Sequence, residues 1–473
     1  MSLTDFENKF NDIWRRAQNQ PSLGSITPDL ISEWARNKGL VHSAVIASDV
    51  GLFHPTPSIV LEVDGRKACF PRIPASGDES WKIRRKAYDD EALLWEKMEW
   101  FLPLWLPMGK IRQMLAEVKH CSKERAIELF DYHTSTLYTL PFQAVCIAQI
   151  MPQARSLKEI IPLAREAFLG FYSGYRASSI AALIPAIEGS LTRIASGIPP
   201  SAATDDKIDH AINRAIQTAA HLHFEGMWVP SEYKAMDYLF GQDERVFAFE
   251  TFRRWLKNYF FCNTEEYKGL TWLNRHMFAH GTASSWQQST NFRRLIVALT
   301  TLAAIESWYD ESHRVSLMAP KMNEDSTLLW QQSLFQAEIQ MKSKIIEQDR
   351  YQKNGRLVPE MPTDNGVLLR KAILTEDCMK DLVRPLRDAG WSVDVSEPDE
   401  EALYMTVVAS HGEKRFGVAL LYSCATDNKI YRTLSEKCEA ILYRGAPYQQ
   451  ASFAYNIPVH VGPVLGWQPP KTS

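Results

Sequence analysis

No two of the seven cysteines form a C-x-x-C pair; Cys69, Cys121, Cys146, Cys262, Cys378, Cys424 and Cys438 are scattered and odd in number. That excludes a zinc ribbon and a disulfide framework, and fits reduced thiols of a cytoplasmic protein. A strong charge of either sign is also missing. The formal net charge is -3, so no global basic field marks a duplex-wrapping protein, although a small local basic cleft for RNA is still compatible. The longest apolar run, 295–305, is too short for a membrane span and contains threonines. The first residues, Met1-Ser2-Leu3-Thr4-Asp5-Phe6-Glu7, are too polar for a signal peptide, so the cytoplasm is the expected compartment. Internal repeats and low-complexity tracts are absent as well.

What is present is a chain long enough for two to four domains, each with its own core. Residues 1–110 read as an α+β region. An amphipathic helix over 3–17 is followed by a second that starts at Thr27-Pro28, with Thr27 as N-cap and Pro28 in the first turn. Strands are expected over 44–47 and 58–63, the second closed by the hairpin signal Asp64-Gly65. Helical patterning resumes near Asp90. The aromatic string 100–107 fits either a packing seam between domains or a lipid or ligand groove.

Residues 111–315 carry apolar positions at three- and four-residue intervals, which predicts helices over 156–170, 177–194, 205–223, 245–261 and 291–309. Short loops between them make an antiparallel bundle the natural architecture. Thr204-Asp205-Asp206 reads as a cap, and Thr264, followed by two acids, reads as the N-cap of a further helix. Residues 316–365 are a connecting helix (324–352) and a linker (354–365). From 366 to 473 the pattern becomes a small α/β domain in the order α-β-β-β-α-β: a helix over 375–389, strands over 391–395, 404–409 and 416–422, a helix over 430–442, and a strand near Val459.

The densest chemistry lies in Asn274-Arg275-His276-Met277-Phe278-Ala279-His280-Gly281. A guanidinium grips phosphate in a planar fork. An imidazole exchanges protons near neutral pH. Together they suit phosphodiester cleavage without a metal: the RNA 2′-hydroxyl attacks, an imidazole takes its proton, and the guanidinium stabilises charge developing on phosphate. Arg275 and His280 are five residues apart, so on one regular helix they diverge by about 140°. They can act together only if the helix bends or stops between them, Gly281 being a stop signal, or if two copies pool their side chains across a two-fold axis. A rival is a zinc pair, since His276 and His280 share a helix face; Met277 stands where the H-E-x-x-H motif needs Glu, and no third ligand is evident. Arg275 in a surface salt bridge and His280 packed at a helix end is the plainer alternative.

The Leu273-Asn274-Arg275-His276…His280-Gly281 form, with the apolar helix 177–194 containing Glu188 before it and a helix beginning near Asn291 after it, resembles HEPN domains of antiphage and abortive-infection proteins. The resemblance spans roughly 158–312. It implies a multi-domain, mainly α protein in which a central HEPN-like bundle is flanked by the N-terminal α+β region and the C-terminal α/β domain. It also implies a metal-independent, cofactor-free endoribonuclease, with Arg275 and His280 catalytic and His276, Asn274 and Glu188 supporting; Glu188 fits equally a core-edge pair with Arg193 or Arg176. The implied partners are an RNA substrate, a second copy or a higher homo-oligomer through the bundle, and an unidentified trigger or partner protein, with no membrane. Two other readings are compatible: a non-catalytic dimerisation scaffold, or a nuclease acting through the C-terminal domain. That domain's order resembles the restriction-endonuclease-like core. Asp394 could be its first acid, but 416–422 contains neither the acid nor the lysine of an E-x-K pair, which implies a catalytically dead recognition module; another small α/β fold is equally compatible.

Overall fold

The chain begins with α1 (Leu3–Gln18), whose inward positions Phe6, Phe10, Ile13, Trp14 and Ala17 are buried at helical spacing. Thr27 accepts a hydrogen bond from the Leu30 N–H and Pro28 fills the first position of α2 (Pro28–Asn37), as the sequence predicts. A meander follows: β1 (Ala44–Val50), β2 (Thr56–Val63) and β3 (Arg66–Pro71) pair antiparallel, with Asp64 and Gly65 both at positive φ in the β2–β3 turn. In the computed structural model, which describes residues 3–106, 108–281, 285–309, 320–353, 366–445, 447 and 450–472, the chain forms two compact units. Unit 1 is Met1–Phe171 with Ala177–Gln332, and unit 2 is Tyr172–Arg176 with Ser333–Ser473. The molecule is mainly helical.

In unit 1 the N-terminal sheet closes on the helical region. The Cys69 N–H bonds to the Trp228 carbonyl at 2.7 Å and the Trp228 N–H to the Lys67 carbonyl at 2.9 Å, adding a short parallel pairing to β3. Thr56 and Tyr238 share a buried hydroxyl hydrogen bond at 2.7 Å, and the Tyr233 hydroxyl donates to the Ile73 carbonyl. The sequence boundary near residue 110 therefore falls inside unit 1. Helical structure resumes earlier than Asp90, because Asp78 caps α3 (Glu79–Lys97) through the Trp81 N–H.

Next come α4 (Met108–Val118), α5 (Lys123–Leu137), α6 (Leu140–Val145), α7 (Ile161–Tyr172), α8 (Arg176–Ile194), α9 (Thr204–His223), α10 (Met236–Leu239) and α11 (Glu244–Trp255), the last continued by a wider turn to Phe260. Thr204 is the first helical residue of α9 and not its cap; Ala203 holds that place without a side-chain bond. Then come α12 (Arg275–His280), α13 (Ser289–Tyr309) and α14 (Glu324–Lys353), the last of which passes from unit 1 into unit 2 at Ser333; the expected linker 354–365 lies outside the described residues. The apolar run of α13 is core: Leu295, Ile296, Leu299, Leu302 and Ile305 are fully buried or nearly so. Among the described residues no helix is long and apolar enough to cross a membrane.

A buried acid stands directly before the aromatic string. Glu99, fully buried at φ 51°, accepts from the Leu270 N–H at 2.7 Å, the Thr271 N–H at 3.0 Å and the Thr271 hydroxyl at 2.9 Å, and pairs with Lys123 at 2.8 Å. Three donors of a distant loop thus depend on one side chain.

Unit 2 contains α15 (Gly366–Cys378), α16 (Arg384–Asp388), β4 (Ser392–Val395), β5 (Tyr404–His411), β6 (Lys414–Leu421), α17 (Asn428–Ser435), β7 (Ala440–Tyr443), α18 (Gln450–Phe453) and β8 (His460–Pro463). The sheet runs β4-β5-β6-β7-β8, antiparallel through β6 and parallel from there. Alternation along β6 divides the core: Val418 and Leu420 pack with Leu374, Leu382 and Leu386 on one face, Ala419 and Leu421 with Tyr431 and Leu434 on the other. His411-Gly412-Glu413-Lys414 is a tight turn, with Gly412 at φ 59°. The helix expected over 430–442 stops at Ser435, and 440–443 is instead β7, all four residues buried. A four-residue apolar run looks the same in a buried strand as in a helix; pairing with β6 and β8 decides it.

Replacing Glu99 by Ala leaves two backbone N–H groups and a hydroxyl without their acceptor. We expect a loss of about 3 kcal/mol, read as a lower urea midpoint; a midpoint equal to wild type would mean the carboxyl does not hold the 269–273 loop.

Candidate functional site

Between the turn that ends at Phe260 and helix α12, the chain does not form the helix expected from Thr264. Residues 263–267 make a turn closed by Glu266 and Tyr267 N–H groups on the Asn263 carbonyl. Beyond it, the N–H groups of Leu270 and Thr271 point at Glu99, and Trp272 sits at φ 56°. A backbone whose donors are taken by a distant carboxyl cannot build helical i→i−4 bonds. Helix formation therefore waits for Asn274.

Asn274 is fully buried and uses both ends of its amide. Its Oδ1 accepts from the Met277 N–H at 2.9 Å, which caps α12. Its Nδ2 donates to the Tyr259 carbonyl at 2.7 Å and the Cys262 carbonyl at 2.8 Å, tying the cap to the end of the preceding helix. Asn274 was expected as a supporting group of the motif; in the fold it caps α12 and holds the backbone on either side. At the other end Gly281 adopts φ 63° and its N–H returns to the Met277 and Phe278 carbonyls. Only glycine takes that left-handed turn without cost, so α12 stops where the sequence says it should. Asn291 adds a third brace by donating to the Thr271 and Trp286 carbonyls.

On this short helix Arg275 is the first residue and His280 the last. The Arg275 Nε bonds to the Glu188 Oε2 at 2.8 Å, both side chains about one-third exposed. Glu188 comes from the middle of α8, 87 residues earlier, and it pairs with Arg275 instead of Arg193, whose partners are Glu159 and the Gly189 carbonyl. An ion pair this exposed contributes little to stability. What it does is fix one edge of the guanidinium; the two terminal nitrogens of Arg275 have no partner among the described residues.

His276 is half-buried and His280 exposed. Burial lowers the proton affinity of His276, and the Arg275 charge and His280 lower it further, while Glu188 opposes them. Glu188, Arg275, His276 and His280 thus share one electrostatic neighbourhood. The expected bend between Arg275 and His280 does not occur, since α12 is continuous from cap to cap. The two keep the offset of about 140° that a regular helix gives, and it is His276, one turn before His280, that shares its face. No group of three or more His, Cys, Asp or Glu side chains suited to a metal ion occurs among the described residues.

In unit 2, Asp394 is exposed on β4 at the edge of the sheet, and β5 lies between it and β6. The acid and the strand that would carry an E-x-K pair are therefore not neighbours, and Phe416 to Tyr422 contains no ionisable partner for it beyond the Tyr422 phenol. Sequence reasoning overlooked Glu99 and Asn291 as supports of the site. The signal for Glu99 was an acid set directly between Met98 and the aromatic pair Trp100-Phe101, where burial forces it to find donors. No protein-family model, curated protein or solved structure matches the chain.

Asn274→Ala removes the cap and strands two carbonyls, for an expected loss of about 2 kcal/mol; Gly281→Ala costs about 1 kcal/mol. Hydrogen exchange of the Met277 and Phe278 amides reports the first directly, and protection unchanged in Asn274→Ala would contradict the capping role. For His276 the folded state holds its proton less tightly than the unfolded chain does. Its contribution to stability is present above the ordinary histidine value near pH 6.5 and is lost as pH falls through the lower folded value. Replacing His276 by Gln should flatten the fall of unfolding midpoint below that pH; an undiminished slope would show that another group causes it.

Proposed function

We propose that the chain is a metal-independent endoribonuclease whose site is centred on α12. The carrying observation is a guanidinium held on one side by Glu188, with two terminal nitrogens unpaired, beside a pair of histidines on the same capped helix. The resemblance of the 274–281 motif and its helix order to HEPN domains supports the same reading. In it, Arg275 receives the scissile phosphate and stabilises the charge that develops on its oxygens. His280, exposed at the end of α12, takes the proton of the RNA 2′-hydroxyl as general base. His276, whose proton affinity is lowered by burial and the adjacent guanidinium, is positioned beside it and can accept or return a proton. Attack of the 2′-oxygen on phosphorus breaks the bond to the 5′-oxygen and leaves a 2′,3′-cyclic phosphate.

Because Arg275 and His280 of one copy diverge, the reading assigns the working site to two copies meeting at their α12 helices. The helical bundle would then be the homodimer interface, and unit 2 a recognition or sensing module without nuclease chemistry. Such an enzyme would serve as the effector of a cytoplasmic defence or toxin-like system, its basal activity raised when a trigger arrives.

The test is cleavage of a defined single-stranded RNA in excess EDTA. Wild type should yield cyclic-phosphate ends, and Arg275→Ala and His280→Ala should each lose on the order of 10²–10⁴-fold in rate. Cleavage undiminished in both variants, or abolished by EDTA in wild type, would overturn the proposal.

A further inference from the structure

The aromatic string that follows α3 does more than pack. Leu102 to Leu106, with Phe53, the start of α11 and Trp308, encloses a cavity of 190 Å³ within unit 1. That is below the roughly 300–1,000 Å³ of sites for drug-sized ligands, which restricts any occupant to a small molecule. Three aromatic rings, Phe53, Trp105 and Trp308, stand in its wall. Trp105 is held there at φ 63°, a left-handed conformation that a bulky residue adopts only when its surroundings impose it.

Two charged side chains line the cavity, and they are not equivalent. Arg245 is 4% exposed and already committed: its Nε and one terminal nitrogen bond both oxygens of the fully buried Asp243, at 2.8 and 2.5 Å. Its guanidinium also lies 5.5 Å from the Phe53 ring and 5.5 Å from the Trp308 ring. Charge on that wall is therefore balanced. Glu244, next along the chain, has no hydrogen bond or ion pair among the described residues, although it lines the same cavity. Nearby Glu91 is half-buried and its carboxyl is pushed up, first by burial and also by the Glu244 charge, against a hydrogen bond from Trp95 and the charge of Arg112. Of the two charged groups that line the cavity, Arg245 is paired with Asp243, and the Glu244 carboxylate has no counter-charge in contact among the described residues. The cavity's apolar walls carry π-faces that favour a cation.

We propose that this cavity binds a small organic ammonium compound, its cationic head against Glu244 and its apolar body against Trp105 and Trp308. A carboxylate or phosphate ligand is disfavoured, because the single cation in the wall is neutralised by Asp243 while Glu244 repels anions. A neutral apolar molecule would gain the walls and forgo the acid. The site is separate from α12, and its existence does not depend on RNA cleavage.

Isothermal titration of the full chain with two cation–neutral pairs tests this: choline against 3,3-dimethylbutan-1-ol, and phenylethylamine against 2-phenylethanol. At least one cation should bind tenfold or more tightly than its neutral counterpart. Glu244→Gln, a change of a half-exposed residue in the first turn of α11, should abolish that preference while leaving the neutral compound's affinity within twofold. Trp308→Leu should weaken both members of the pair. Equal affinities within each pair, no binding of either cation to wild type, or a preference that survives Glu244→Gln would each overturn the proposal. The comparison on wild type stands even if a variant fails to fold.

Discussion

One side-chain amide joins the fold to the site. Asn274 is buried where the long helical run that ends at Phe260 meets the short helix α12, and its three hydrogen bonds leave neither nitrogen nor oxygen free to rotate. The carbonyls it binds lie in the last turn of that run (Tyr259) and just beyond it (Cys262), where helix-end carbonyls lack an intrahelical donor. The N–H it accepts is one of those at the start of α12 that lack an intrahelical partner. A single asparagine therefore answers for two helix ends. Glu99 performs a related task a few residues upstream, where it takes the donors of the loop that leads in. Arg275, His276 and His280 are positioned by these two residues more than by contacts of their own.

This division explains which parts of the molecule could be read from the residues and which could not. Thr27-Pro28, Asp64-Gly65 and Gly281 act through their own backbone conformation, so local sequence was enough to place a cap, a hairpin and a helix stop. The failures share a non-local cause. Thr264 with two acids after it is a sound helix start, but the donors that helix would need go to Glu99, more than 160 residues away in sequence. Ala440 to Tyr443 reads as the tail of a helix until β6 and β8 are seen on either side of it. For Glu188 the residues left open a supporting role at the motif or a core-edge pair with Arg193 or Arg176, and only the packing of α8 brings its carboxyl to Arg275.

Chemically, the site is small and open. Its guanidinium is oriented by a carboxylate, and its histidines differ in exposure, with the inner one disfavoured for protonation. Such a pair of imidazoles in unlike surroundings is what proton transfer in two directions requires. The offset of Arg275 from His280 around α12 limits how the parts can be used. Bringing both to one phosphate takes a second α12, related by a two-fold axis.

That requirement can be measured by mixing. Arg275→Ala and His280→Ala proteins, each inactive alone, should regain RNA cleavage when combined and allowed to exchange subunits, because one of the two sites in each mixed dimer has an intact arginine and an intact histidine. With half the dimers mixed and one site of two restored, activity should approach about a quarter of wild type. No recovery in a mixture shown to contain mixed dimers would contradict a site shared between two copies of α12.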